Sequence, residues 1–157
     1  KDLVIVTIPE KSVTALPKGL FADVSDDTVV VDTGNYYPQR DGRIDALESG
    51  TPESRWVSQQ LGRRVVEAFN NIYAQHLLKQ GKPEGQPGLI GHPVAGDNPT
   101  DKEVVLGLVD ELGFDGVDSG GLDDSWRQQP GTPVYGADLD AMGVRNALSL
   151  AQRQRES

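Results

Sequence analysis

The chain has no cysteine, which excludes disulfides, thiolate metal sites and a cysteine nucleophile. It is poor in histidine, with two, and no Gly-x-Gly-x-x-Gly turn follows any strand-like segment. An open nucleotide-binding sheet would be expected to offer that turn. Basic residues are also short. Fifteen Lys plus Arg stand against 24 Asp plus Glu, a net charge of -9, which repels nucleic-acid phosphates and anionic membrane surfaces, so neither is expected as a partner. No apolar run approaches the roughly 18 residues that span a bilayer; the longest, Leu3 to Ile8, suits one strand. No signal segment opens the sequence, and the simplest expected location is cytoplasmic. Internal repeats and low-complexity tracts are absent too. At 157 residues a single domain is expected, 1–157, able to bury roughly two thirds of the surface its unfolded chain exposes.

What is present is the grammar of an α/β sheet. Leu3 to Ile8 is apolar at nearly every position and rich in β-branching, the look of a strand covered on both faces. A short helix is expected over Lys11 to Leu16. Thr28 to Asp32 and Arg64 to Phe69 repeat the strand pattern and end in the polar turns Thr33-Gly34-Asn35 and Asn70-Asn71. One helical turn is expected at Ile44 to Glu48. Thr51-Pro52-Glu53 then supplies an N-cap, a proline at the first helical position and a first-turn acid for a helix to Leu61, stopped by Gly62. Further helices are predicted from Tyr73 to Gln80, from Asn98-Pro99 to Gly113, and from Asp138 to about Arg153. The second presents Val104, Val105, Leu108, Val109 and Leu112 on one face. Leu89 to Ala95, broken by Gly91 and Pro93, is expected near a sheet edge. Phe114 to Asp118 is a last strand, with Ser119-Gly-Gly121 as its turn.

Ligands of an open parallel sheet sit outside the carboxyl ends of its strands. The turns Thr7-Ile8-Pro9, Thr33-Gly34-Asn35 and Asn70-Asn71-Ile72 are therefore the candidate cofactor-binding residues. They are suited to sugar hydroxyls and a carboxamide, and no strong acid or base is evident among them; plain strand exits and turn asparagines are the alternative. Asp26-Asp27 and Asp123-Asp124 are adjacent in sequence, so their side chains diverge, and they read as solvated caps. His76 and His92 lack a partner at metal-ligand spacing and are expected to be structural. Ser12, Ser54 and Ser125 lack the setting of a hydrolase nucleophile. No catalytic residue and no metal site is assigned. The segment Asp123 to Tyr135, with Trp126, Arg127 and Pro130-Gly-Thr-Pro133, reads as a loop that closes over a ligand or packs on a neighbouring subunit, with Trp126 as a simple packing anchor the plain alternative, and Tyr36-Tyr37 as an aromatic wall or a satellite cluster.

Val4-Ile-Val-Thr-Ile-Pro9, Val29-Val-Val-Asp-Thr-Gly-Asn35, Val65-Val-Glu-Ala-Phe-Asn-Asn71, Pro93-Val-Ala-Gly-Asp97 and Leu112-Gly-Phe114 resemble, in order and spacing, the NADP oxidoreductases of the coenzyme F-420-dependent type. The resemblance implies the C-terminal part of a Rossmann-like, mostly parallel sheet with flanking helices. The glycine-motif half would occupy about 60 to 70 residues preceding Lys1, the first half of such a sheet. It further implies NADP or NAD as cofactor, coenzyme F-420 or another small molecule as redox co-substrate, and cofactor binding impaired in a truncated chain. Thr7, Ile8 and Pro9 would lie along the adenosine and pyrophosphate side, and Thr33 to Asn35 with Asn70 to Ile72 near the nicotinamide. An unpaired first strand would expose an apolar edge, which favours a homo-oligomer. The alternative is a non-catalytic α/β oligomerisation or protein-binding module.

Overall fold

The computed structural model describes residues 2–153. Its sheet has five strands in the order β1 (Leu3–Val6), β2 (Val29–Asp32), β3 (Val66–Glu67), β4 (Gly91–Gly96) and β5 (Asp115–Gly120). β1, β2 and β3 run parallel, β4 pairs antiparallel to β3, and β5 pairs parallel to β4. This is the α/β architecture expected from the strand grammar, in the mostly parallel, Rossmann-like form that the resemblance implies. The helices are α1 (Glu10–Val13), α2 (Pro38–Asp41), α3 (Asp45–Glu48), α4 (Glu53–Leu61), α5 (Ala74–Lys79), α6 (Pro99–Glu111) and α7 (Ala141–Leu150), with a 3-10 helix over Leu122–Gln128.

Every residue of β2 is buried, because its neighbours pack on both faces. Val29 and Val31 meet Val105 and Val109 of α6, while Val30 joins Val65 and Leu122 on the opposite side. The same alternation governs β5. A side chain at Gly116 would strike Leu106 of α6, whereas Val117 packs with Val144, Ala147 and Leu148 of α7. α6 starts as the sequence predicts, with the Asn98 side chain accepting from the Asp101 amide. It stops at Gly113, whose φ of +92° and close approach to Lys82 N (2.6 Å from the position a Cβ would take) leave room only for glycine.

Several expectations are corrected. Helix α4 begins one residue late. Pro52 is its N-cap in an extended conformation, and no side chain caps it. β3 is only two residues long because Phe69 turns to a φ of +64°. β4 is not at an edge; all its residues are buried. Pro93 is tolerated there because β3 pairs only with Ala95 and Gly96. Beyond that point His92 Nε2 accepts from the Phe69 amide (2.6 Å) and Gln128 Nε2 donates to Pro93 O (3.3 Å), so side chains replace the ladder. Ser119 and Gly120 belong to β5 rather than to its turn, and α7 is shorter at both ends than the Asp138-to-Arg153 expectation.

β1 borders the sheet among the described residues, and it is not covered on both faces as its composition predicts. Its residues are half-buried, and Ile5 is 48% exposed. Beside it run two apolar grooves. One, about 490 Å³, is lined by Ile5, Phe69, Ile72, Leu77, Leu108 and Leu112 with Thr7, Thr33 and Ala74. The other, about 460 Å³, is lined by Val4, Val6, Ile8, Leu16, Leu20, Phe21 and Val24 along with Ile5 and Thr7. Leu108 and Leu112 of α6 thus extend the helix's apolar stripe past the described sheet. Replacing Ile5 by Lys should change the unfolding free energy of the isolated chain by less than about 1 kcal/mol, since little burial is lost, and should reduce binding of an apolar dye. A loss above about 2 kcal/mol would mean that β1 is covered in solution.

Candidate functional site

The parallel pairing of β1 with β2 brings their carboxyl ends together. Thr33 N and Oγ1 both donate to Val6 O (3.1 Å each), and Thr33 Oγ1 also lies 2.8 Å from Thr7 Oγ1. Where the two strands then diverge, a cleft of about 220 Å³ opens, lined by Thr7, Ile8, Pro9, Thr33, Gly34, Asn35, Tyr37 and Arg40. Six of the nine candidate residues therefore share one cleft. Ile72 lines the adjoining apolar groove, which shares Thr7 and Thr33 with the cleft. Asn70 and Asn71 are buried beneath the rim. Asn70 Nδ2 donates to Asn35 Oδ1 and to Gln128 O, and Asn35 Nδ2 donates to Asn70 O (2.7 Å). Asn70 thus acts on the cleft by fixing Asn35, and Asn71 Nδ2 in turn donates to Asn70 Oδ1 (3.3 Å).

The walls come from residues that the sequence reading left open or did not single out. Tyr37 stands at the rim with its hydroxyl against that of Tyr135, whose ionisation is shifted upward mainly by burial. The Arg40 guanidinium lies 5.0 Å from the centre of the Tyr37 ring, donates to Asn35 O (2.8 Å) and pairs with Asp41 (3.0 Å). The Asp123 to Tyr135 segment is packed within the chain. Leu122, Ser125 and Gln128 are buried, and Trp126 is flanked by Arg127 and Arg153, each 4.9 Å from its ring. Its polar residues enter the core because hydrogen bonds satisfy them; Gln128 Oε1, for example, accepts from Ser119 Oγ at 2.6 Å. His76 does have an acidic neighbour, Asp138, 2.5 Å from its Nδ1, although 62 residues separate them in sequence. His92 is fully buried, and burial lowers its pKa to about 4, so it is the neutral acceptor that the Phe69 amide requires.

Beneath the cleft lies its least expected feature. Glu10, Asp32, Glu53 and Glu67 are all buried, none more than 2% exposed, so the strand exits are underlain by acids where none was expected. Asp32 and Glu67 are paired across β2 and β3. Asp32 accepts from the Gly34 amide (2.9 Å) and Ser54 Oγ (2.8 Å), and Glu53 accepts from the Tyr36 amide (2.5 Å). Neither oxygen of Glu10 has a hydrogen-bond partner among the described residues. Glu10 Oε1 lies 2.3 Å from where a Cβ on Gly34 would sit, so any larger residue would collide with the carboxyl. Burial, then the charges of Asp32, Glu53, Glu67 and Asp41, pushes Glu10 up to about 9. Burial raises Asp32 to about 6 against the Gly34 and Ser54 hydrogen bonds, and it carries Glu67 well above the ordinary carboxylate range. Among the described residues no group of three or more His, Asp or Glu could hold a metal ion, and no helix is long and apolar enough to cross a membrane.

A signal for these acids existed. Glu10 and Glu53 each follow a proline at a helix start, which reads as an ordinary first-turn acid. Asp32 and Glu67 interrupt or end β-branched runs, where a charge has no solvated face to point to.

No family model matches the chain. The Escherichia coli protein YjhV is 45% identical over 71 residues, 45% of this chain and 52% of that protein. The hypothetical protein SMa0349 of Sinorhizobium meliloti superposes with a TM-score of 0.67 at 28% identity over 88% of this chain and 66% of its own. An Arthrobacter sp. FB24 protein named for F-420-dependent NADP reduction superposes with a TM-score of 0.61 at 21% identity over 77% of this chain and 56% of its own, a distant likeness of fold. The chain thus spans about half the length of the curated relative it matches.

Since Glu10, Asp32 and Glu67 bind protons more tightly folded than unfolded, the native state holds more protons. Stability is then greatest below about pH 4.5 as far as these groups decide it, and is lost as pH rises toward about 9. The limiting slope is about 1.4 kcal/mol per pH unit per group. Glu10→Gln should flatten the part due to Glu10 and raise the urea midpoint at pH 8; an unchanged slope would contradict the assignment.

Proposed function

We propose that the chain is the nicotinamide-side part of an NAD(P)-dependent oxidoreductase, passing hydride between a nicotinamide cofactor and a deazaflavin-like, flavin-like or other small acceptor. The observation that carries this reading is the cleft at the carboxyl ends of β1 and β2, set in a parallel sheet whose border strand is flanked by apolar grooves on both sides. The fold shared with the Arthrobacter reductase supports it.

The residues present suit such a ligand. Thr7 and Thr33 offer hydroxyls, Gly34 leaves the turn open to close approach, and Asn35 is held in place by Asn70. When bound, the nicotinamide supplies the hydride. Thr33 to Asn35 would hold the ring, Tyr37 would stand beside it as a flat wall, and Ile72 with its groove would exclude water. Positioning two rings at reactive distance is the main demand of such a transfer, and it needs no acid-base pair. Among the described residues no Gly-x-Gly-x-x-Gly turn leads into a helix N-terminus at the cleft to hold the pyrophosphate. In this reading that part comes from an α/β half added at the free side of β1, where the grooves take its helices.

The alternative, a module that uses its sheet for association, draws on the same exposed strand. NADPH titration separates the two. The 157-residue chain should bind NADPH poorly or not at all, while a polypeptide extended upstream of Lys1 by a glycine-motif half should bind it, with Asn35→Ala weakening the affinity by about tenfold, the cost of one or two hydrogen bonds. An extended form that does not bind NADPH would overturn the oxidoreductase reading.

A further inference from the structure

We propose that Glu10, with Asp32 beside the same turn, forms a proton-operated latch under the cleft, closing its two lips while Glu10 is protonated and parting them when both carboxyls are ionised. The geometry is a matter of sequence adjacency. Glu10 directly follows the lip Thr7-Ile8-Pro9, and Asp32 directly precedes the lip Thr33-Gly34-Asn35. Both carboxyls lie against Gly34. A Cβ there would be 2.3 Å from Glu10 Oε1 and 3.1 Å from Asp32 Oδ1. Displacing either carboxyl therefore moves the turn that lines the cleft.

The electrostatic setting leaves the pair little alternative to a proton. Facing Glu10 are Asp32 from β2, Glu53 from α4, Glu67 from β3 and Asp41 from α2. Arg40 also reaches Glu10 electrostatically, but it is committed to Asp41 and Asn35 O. Asp32 has the Gly34 amide and Ser54 Oγ to stabilise its charge. Glu10, fully buried with both oxygens unpartnered, has nothing comparable, and ionising an isolated buried carboxyl is costly. Solvating it requires movement, and the element least able to resist is α1. It is one turn long, has no side-chain cap and follows the border strand in sequence, with Val13 as its buried apolar anchor beside Trp56 and Val57 of α4. Ionisation should carry Glu10 outward, admit water beside Gly34 and pull Thr7–Pro9 away from Thr33–Asn35. The cleft as seen is the closed, proton-loaded state. This device is independent of which ligand the cleft takes.

Amide hydrogen exchange on the chain itself tests it. After correction for intrinsic base catalysis, protection at Thr33, Gly34 and Ser12, whose amides donate to Val6 O, Asp32 Oδ1 and Pro9 O, should fall at least tenfold between pH 6 and pH 9.5, while β4 amides hold. In Glu10→Gln, which cannot ionise, protection at those amides should not change with pH. Equal pH dependence in wild type and variant, or none in the wild type, overturns the latch. Should Glu10→Gln fail to fold, infrared spectra of the wild type decide. A protonated-carboxyl carbonyl band present at pH 7 and lost by pH 9.5 in step with protection at Gly34 supports the proposal, and its absence at pH 7, or its loss with protection at Gly34 unchanged, overturns it. If millimolar magnesium, calcium or potassium restores protection at pH 9.5, the cluster is a cation site and the proton latch is wrong.

Discussion

The site depends on the short parallel ladder between β1 and β2. Four residue pairs, Leu3 with Val29 through Val6 with Asp32, set the register that places Thr7 opposite Thr33. The Thr33 bonds to Val6 O and its hydroxyl contact with Thr7 fasten the ladder at the point where the chains separate. Because a one-residue slip would turn every side chain to the other face, the valines of β2 and the lips of the cleft are specified together. Core packing on α6 holds the geometry that the cleft uses.

That arrangement has a cost, met in an unusual way. Parallel strands ending side by side under a tight turn leave a pocket that an apolar side chain could fill, and here it holds carboxyls from α1, β2, α4 and β3. Backbone amides of Gly34 and Tyr36 and the Ser54 hydroxyl offset part of the burial penalty for Asp32 and Glu53, but Glu10 receives no such help. A buried acid that stays neutral is the ordinary outcome where no cation is at hand. In an acidic chain of net charge -9, concentrating protons beneath the Thr33–Asn35 turn lets the cleft stay packed at neutral pH.

Much of the fold is legible in the sequence, because β-branched runs and helix signals report local physics. Val29 to Asp32, the Asn98 cap and the Gly62 and Gly113 stops stand where composition places them. What could not be read depends on partners distant in the chain. β4 looks like an edge strand because Pro93 lacks a donor, yet His92 and Gln128, from 23 and 35 residues away in sequence from the backbone groups they serve, complete the pairing. β3 ends early because Phe69 leaves the strand conformation. At the site, the clustering of Thr7–Pro9 with Thr33–Asn35 follows from topology alone. The acid floor does not, since each carboxyl has an innocent local explanation until four elements are brought together.

The central claim is that the carboxyl ends of β1 and β2 form the seat of a nicotinamide. Nicotinamide mononucleotide, which lacks the adenosine part and so needs no glycine-motif half, probes that seat directly when titrated into the isotope-labelled chain and followed by amide chemical shifts. The account predicts saturable shifts centred on Thr7, Thr33, Gly34 and Asn35 at millimolar ligand. Shifts centred elsewhere, such as around Arg63 at the opposite end of the sheet, or no shifts at all, would contradict it.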